Sequence, residues 1–245
     1  MDRSREMAIT QMRRSIEDLG SSTEKCSEAT LMRFLMARSM EAKKAAKMFV
    51  ECEKWRAEQV PLGFIPESQI PDELGARKIY LQGGLSNGGF PVVIVKANKH
   101  YPPKDQPQFK KFVIHLLDKV IASSFKDKEI GNEKLIAIVD LQNISHKNID
   151  ARGFIIGFQF LQAYYPERLA KCYFINMPRF FVGIWKMISY FLDKATLEKI
   201  VIVSNEEEMK ELVREVGEET LPEEYGGRAE LLAIQDVVVE MQINE

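Results

Sequence analysis

The chain has 245 residues, 45% of them hydrophobic and 29% charged, with a formal net charge of −2. That is ordinary globular composition, long enough to bury a core around an internal cavity, and its near-neutral balance excludes a general nucleic-acid or polyanion footprint. Three cysteines, Cys26, Cys52 and Cys172, are odd in number, far apart and without CxxC spacing, so free, mostly buried thiols in a reducing compartment are expected.

In chain order, MDRSREMAITQMRRSIED is charged and carries no apolar run of the leader type, so no secretory signal is expected. Met7, Met12, Ile16 and Leu19 recur at helical spacing, and Gly20 offers a stop. Leu31, Phe34 and Leu35 open a second helix. Ser39 is placed to cap a third, whose Ala45, Phe49, Cys52 and Trp55 form one apolar stripe before Pro61 ends it. Residues 1–62 are therefore expected to form a small helical bundle with its charges outward.

The texture changes from about residue 75. RKIYLQ and FPVVIVKA are rich in β-formers, and the glycine-dense QGGLSNGG between them reads as a hairpin connection. QFKKFVIHLLDKVIASSF is an amphipathic helix, and KLIAIVDLQ a short, almost continuous apolar run, as in a buried central strand. DARGFIIGFQFLQAYY returns to a helix that closes before Pro166, and KCYFINMP is another buried strand. KIVIVS reads as a fourth buried strand, and NEEEMKELVREVG as a helix whose acidic first turn suits the helix dipole. This alternation predicts an α/β layer on a largely parallel sheet over 70–228. The tail, 229–245, alternates weakly and reads as an extended strand.

Catalytic patterns are missing. There is no GxSxG elbow, no GxxxxGK[ST] loop, and no GxGxxG between a strand and a helix. His100, His115 and His146 are isolated from one another, and His115 sits among Ile114, Leu116 and Leu117 as a core histidine would. Asp140 ends a buried strand, where α/β enzymes place catalytic acids, but capping the following loop is the simpler role. No catalytic residue, metal set or cofactor is read, and an enzyme is not expected.

The segment from Phe180 to Leu192 is the anomaly: only Gly183, Lys186 and Ser189 interrupt its large apolar residues. A membrane span needs about 20 apolar residues, so this stretch is too short, and Lys186 lies inside it. On a helical wheel Phe180, Phe181, Ile184, Trp185, Met187, Ile188, Phe191 and Leu192 fill an arc of about 160°. Gly183, Lys186, Tyr190, Val182 and Ser189 take the other side. A core helix packed on the sheet is the plain reading. The width and aromatic content of the arc, with a cation and a tyrosine beside it, equally suit a lid that docks on a bilayer, swinging between Pro178 and Asp193. A two-chain lipid carries roughly 30 methylenes at about 0.8 kcal/mol each. Moving one through water therefore demands an enclosed apolar cavity, not a surface groove.

YYPERLAKCYFINMP (164–178), FLDKATLEKI (191–200) and LPEEYGG (221–227) together resemble the CRAL-TRIO lipid-binding family, in its phosphatidylinositol/phosphatidylcholine transfer branch. LMRFLMARSM (31–40) and CEKWR (52–56) resemble the helical domain that precedes that fold, so the likeness spans nearly the whole chain. It implies acyl chains in a cavity floored by the sheet, with the segment around 180–192 as a gate helix. It further implies an inositol-phosphate headgroup held by Arg38, Glu167, Arg168, Thr196 and Lys199. The chemistry is coherent: inositol hydroxyls need a carboxylate acceptor such as Glu167, and a phosphate needs a cation and a hydroxyl, which Lys199 and Thr196 would offer from one helical face.

Members that also bind phosphatidylcholine carry Ser, Thr and Met on the strand that here reads Leu135, Ala137 and Val139, and some carry Lys where this chain has Ser39. None of the three strand residues can donate a hydrogen bond, so phosphatidylcholine is not expected as a main second ligand. The resemblance thus implies a monomeric, cytoplasmic carrier of phosphatidylinositol that meets membranes transiently. Its partners would be the phospholipid, a membrane surface and a lipid kinase, with no nucleic acid. The competing readings are a carrier or sensor of another hydrophobe (sterol, terpenoid or tocopherol-like) and an adaptor acting through the acidic face at Glu206–Glu208.

Overall fold

The computed structural model describes residues 3–24, 26–125 and 130–238. Helices α1 (Arg3–Asp18), α2 (Glu28–Ala37) and α3 (Ala42–Gln59) pack around Met12, Ile16, Leu31, Leu35, Ala45 and Phe49, all fully or almost fully buried. Met12 and Ile16, four apart, share the inner face of α1. Met7 and Leu19 are exposed, contrary to the periodicity. Met7 is five residues from Met12, about 140° round the helix, and Leu19 lies past the last helical residue.

Ser27 caps α2 by accepting from the Thr30 amide. Ser39 does not cap α3. Ser39 and Met40 take left-handed conformations, φ 50° and 65°, that reverse the chain, and Glu41 becomes the N-cap without a side-chain bond. The bundle is fastened to the rest of the molecule at the end of α3. There Trp55 stacks on Tyr164 with centroids 3.8 Å apart, and Arg56 holds Asp118 at 3.0 Å.

After the short α4 (Pro71–Gly75), five strands form one sheet in chain order. β1 (Ile79–Leu85) is antiparallel to β2 (Pro91–Lys96), as the hairpin reading required; β3 (Leu135–Asp140), β4 (Leu169–Ile175) and β5 (Ile200–Ile202) continue in parallel. Parallel neighbours in sequence order, joined by right-handed crossovers, put their connecting helices on one face. These are α5 (Gln106–Ser124), α6 (Ala151–Tyr164), α7 (Arg179–Ser189) and the one-turn α8 (Lys194–Leu197). The other face is covered by α9 (Glu206–Val216) and the segment after it, through Leu212, Val216, Leu221 and Tyr225.

Burial on both faces explains the unbroken apolar run of β3. Ile136 and Ile138 point to the α9 side, whereas Leu135, Ala137 and Val139 point to α5 and α6. β5 is a correction: it is a three-residue edge strand in which Ile200 and Val201 are half-buried and Ile202 is exposed. In the tail, Ala233 makes a single bridge to Tyr80 and a 3-10 turn follows at Ile234–Asp236, in place of the expected strand; residues 239–245 lie outside the described set.

Asp140 is a tether. Its carboxylate accepts from the Gln142 amide, from Asn176 at 2.9 Å, from Tyr225 at 2.8 Å and from Lys96 at 3.1 Å. Burial opposes its charge, but the bonds from Asn176, Gln142, Tyr225 and Lys96 outweigh burial and hold the carboxyl below its usual range. Lys96 also pairs with Glu224, so the LPEEYGG segment is pinned to the C-terminal edge of the sheet.

Candidate functional site

Between the sheet and helices α5 and α6 lies a cavity of about 200 Å³. Its floor follows the strand register: Ile79, Val95 and Val139 form one row, Val93, Ala137 and Cys172 the next, and Leu135 with Leu169 a third. Phe112, Leu116 and Val120 of α5 face Phe154, Phe158 and Leu161 of α6 across it. Gly157 helps to open it, since a Cβ added there would meet no atom within 4 Å. Leu135, Ala137 and Val139 all line this space and present it with hydrocarbon alone.

The segment after Pro178 sits differently from expectation. None of Phe180, Phe181, Ile184, Trp185, Met187, Ile188 and Phe191 lines the cavity. Phe181, Trp185 and Ile188 are buried and Ile184 half-buried, packed behind α6 on Phe154, Phe158 and Phe174 at centroid distances of 4.7–6.4 Å for the ring pairs. Phe180, Met187 and Phe191 are 40%, 47% and 52% exposed. An arc of 160° is wider than the strip one helix can press against α6 and β4, so its flanks stay in solvent. Phe191 and Leu192 also fall beyond the end of α7, where helical spacing no longer applies. Phe180, Val182, Met187, Tyr190 and Phe191 thus form an exposed apolar surface, with Arg179, Lys186 and Lys194 exposed beside it.

A second, polar pocket of about 60 Å³ lies beside the cavity, and Leu161 and Leu169 line both. Arg38 from the end of α2, Glu167 and Arg168 from the turn after α6, and Thr196 and Lys199 from α8 and its exit all line it. The fold brings together five residues that the sequence scatters over three segments. Thr196 is positioned by Asp193, whose carboxylate accepts from the Thr196 amide at 2.7 Å. Lys199 lies two residues past α8, so the shared helical face expected of the pair does not exist, yet both border the same space.

The charges of this pocket are unevenly engaged. Glu167, in a left-handed conformation at φ 57°, stands between Lys134 at 3.1 Å and Lys199 at 3.8 Å. Such a conformation costs a non-glycine residue about 1 kcal/mol or more and persists only where the surroundings impose it. Arg168 bonds to Glu133 through the main-chain oxygen at 3.1 Å and the carboxylate at 3.4 Å, and it lies over the Phe125 ring. Burial first, and the neighbouring Arg33 second, push its guanidinium down to about 10. The Arg38 guanidinium donates to the Ala37 carbonyl, and among the described residues no carboxylate lies within 4 Å of it. Three cations against Glu167 and Asp193 leave an excess of positive charge, which suits a phosphate.

Sequence reasoning missed Lys134, which flanks Glu167, and it missed the company His100 keeps. His100 links Lys78 at 2.8 Å to Asp150 at 2.9 Å on the cavity wall. No signal in the sequence pairs residues so far apart. His115 is a core histidine, as expected: it contacts the Ile65 carbonyl at 3.1 Å, and burial pushes its pKa down. All three cysteines are free, and burial pushes the thiols of Cys52 and Cys172 up to about 12. Among the described residues no cluster could hold a metal ion, and no helix is long and apolar enough to cross a membrane.

Comparison with known proteins places these features in context. A family model described as the CRAL/TRIO domain matches residues 77–227. The SEC14 cytosolic factor of Eremothecium gossypii is 28% identical over 92% of this chain and 77% of its own length. The phosphatidylinositol/phosphatidylcholine transfer protein SFH4 of Arabidopsis thaliana is also 28% identical, over 80% of this chain and 34% of its own. The crystal structure of Sfh5 superposes with a TM-score of 0.69 at 18% identity, covering 100% of this chain and 94% of that one, and shares the fold.

Proposed function

Because the chain belongs to the CRAL/TRIO domain family, we propose that it binds phosphatidylinositol and transfers it between membranes or presents it to a lipid kinase. One observation carries the reading: a polar pocket lined by Arg38, Glu167, Arg168, Thr196 and Lys199 opens beside an apolar cavity, with Leu161 and Leu169 common to both. In this reading the inositol hydroxyls donate to Glu167, and the phosphate accepts from Lys199, Thr196 and Arg38 while the acyl chains enter the cavity. The names of two Arabidopsis thaliana relatives, both phosphatidylinositol/phosphatidylcholine transfer proteins, support it. The protein acts as a monomeric cytoplasmic carrier, not a catalyst.

Phosphatidylcholine is a poor second ligand here. Leu135, Ala137 and Val139 offer its phosphate no donor, and burying a phosphodiester unpaired costs several kcal/mol. The exposed face around Phe180, Met187 and Phe191 touches the bilayer, where aromatic and aliphatic side chains beside lysine and arginine anchor an interfacial helix.

The test is vesicle-to-vesicle transfer of labelled phosphatidylinositol by the double variant Thr196→Ala, Lys199→Ala. Each charge-assisted bond contributes about 1.5–3 kcal/mol, so transfer falls by tenfold or more while the melting temperature holds. Unchanged transfer rejects the headgroup assignment.

A further inference from the structure

Glu167 faces two lysines that the chain places very differently. Lys199 follows α8 and lines the polar pocket, whereas Lys134 is the residue before β3 and does not line it. Both come closest to the same carboxylate oxygen, Oε2, Lys134 at 3.1 Å and Lys199 at 3.8 Å. The side chains are 19% exposed for Glu167, 21% for Lys134 and 26% for Lys199. Charges so sheltered are screened less by salt than those of a surface pair.

The backbone dictates this arrangement. The start of β3 is stitched to the turn that carries Glu167. The Leu135 amide donates to the Arg168 carbonyl at 2.8 Å, Leu135 pairs with Leu169, and Arg168 donates to the Glu133 carbonyl at 3.1 Å. Lys134 is thereby fixed opposite Glu167. Glu167 itself is held at φ 57°, a conformation that a non-glycine residue keeps only under constraint. With both backbones set, the carboxylate turns toward one ammonium or the other by side-chain rotation alone.

That choice matters because Glu167 and a phosphate compete for the same Lys199 donors. At 3.8 Å the Lys199 ammonium is within ion-pair reach of Glu167 but beyond hydrogen-bond length, while Lys134 stands closer. We propose that Lys134 is a positioning residue of the polar pocket. It draws the Glu167 carboxylate away from Lys199 and so keeps Lys199 available to a phosphate, whether a lipid phosphodiester or the free ion. The inference rests on the phosphatidylinositol reading and adds to it a residue outside the pocket wall that sets the anion affinity. A mere staple between β3 and the turn is the competing role for the same contact.

The test is calorimetric titration with inorganic phosphate, paired with vesicle transfer of labelled phosphatidylinositol, on a double-mutant cycle. Lys134→Met weakens phosphate binding about tenfold, because Glu167 then pairs with Lys199 alone, and transfer falls with it. In a Glu167→Gln background the same change alters phosphate affinity by less than about twofold. An equal loss in both backgrounds shows only a through-space charge effect and overturns the proposal. Lys134→Arg keeps binding and transfer near those of the unaltered chain. A Lys134→Met chain that melts lower yet binds phosphate as before is a broken staple, and this too overturns the proposal. Lys134→Gln takes its place in the cycle should the Met variant fail to fold. Lys199→Ala separates this claim from the one beneath it. If Lys199→Ala weakens phosphate binding and Lys134→Met does not, the positioning role alone fails; if neither does, the headgroup assignment fails with it. Phosphate affinity that follows the cycle while transfer does not supports the positioning role and assigns the pocket to the free ion.

Discussion

Glu167 and Lys199 meet at 3.8 Å across the end of the sheet, with Lys134 on the opposite side of the same carboxylate at 3.1 Å. Glu167 therefore holds both ammonium groups by charge, and an arriving phosphate competes with it for Lys199. Glu167→Gln removes the competitor but also the acceptor for inositol hydroxyls. Binding of inorganic phosphate, measured by calorimetry, rises several-fold, whereas phosphatidylinositol transfer falls about tenfold. A parallel rise in both quantities would contradict the role given to this carboxylate.

The cavity can be filled without breaking the fold. Gly157 sits inside α6 with open space beside it. Gly157→Ala raises stability by up to about 1 kcal/mol, because glycine is a poor helix former. Gly157→Leu projects into the space between α5 and α6 and lowers lipid transfer sharply, with the thermal midpoint unchanged or higher. Denaturant melts and transfer assays on the same preparations separate the two effects.

Gly153, one turn earlier, answers in the opposite sense. Its added methyl would collide with Asp150 and approach Phe109 at 3.1 Å. Gly153→Ala therefore destabilises the chain by about 1–3 kcal/mol through overpacking. Chemical denaturation of the two glycine variants side by side checks the contrast.

Asp140 makes stability depend on acid. Its carboxyl is held below the usual range when folded, so its stabilising contribution is complete above the unfolded carboxylate pKa, about 3.9. That contribution is lost as pH falls below that value and through the lowered folded one. Asp140→Asn flattens this part of the stability–pH profile. Tyr225→Phe removes one bond to a charged acceptor and costs about 1.5–3 kcal/mol at neutral pH. Melting curves across the acid range measure both.

The exposed flank of α7 is separable from its buried one. Phe180→Glu with Met187→Glu changes stability little, since both side chains are largely in solvent. The same pair reduces co-sedimentation with anionic vesicles several-fold if this face docks on membranes. Unaltered co-sedimentation would move the docking surface elsewhere.

The order of elements was legible because each strand of the sheet interior is an apolar run and each helix carries its own period. Edge and centre were not: KIVIVS has the composition of a buried strand, yet β5 lies at the edge of the sheet among the described residues and Ile202 is exposed. The wheel found the apolar face of α7 but could not say how much of it a neighbour would cover. The five polar-pocket residues were reached through family resemblance, and all five line one space. Lys134 and the Lys78–His100–Asp150 chain escaped notice because their partners are brought near only by strand pairing and crossover helices.

Leu161 and Leu169 border the oily chamber and the charged one alike. On the phosphatidylinositol reading a guest places its polar part on one side of these two side chains and its tail on the other, so the pair marks where along the molecule the polarity must stop.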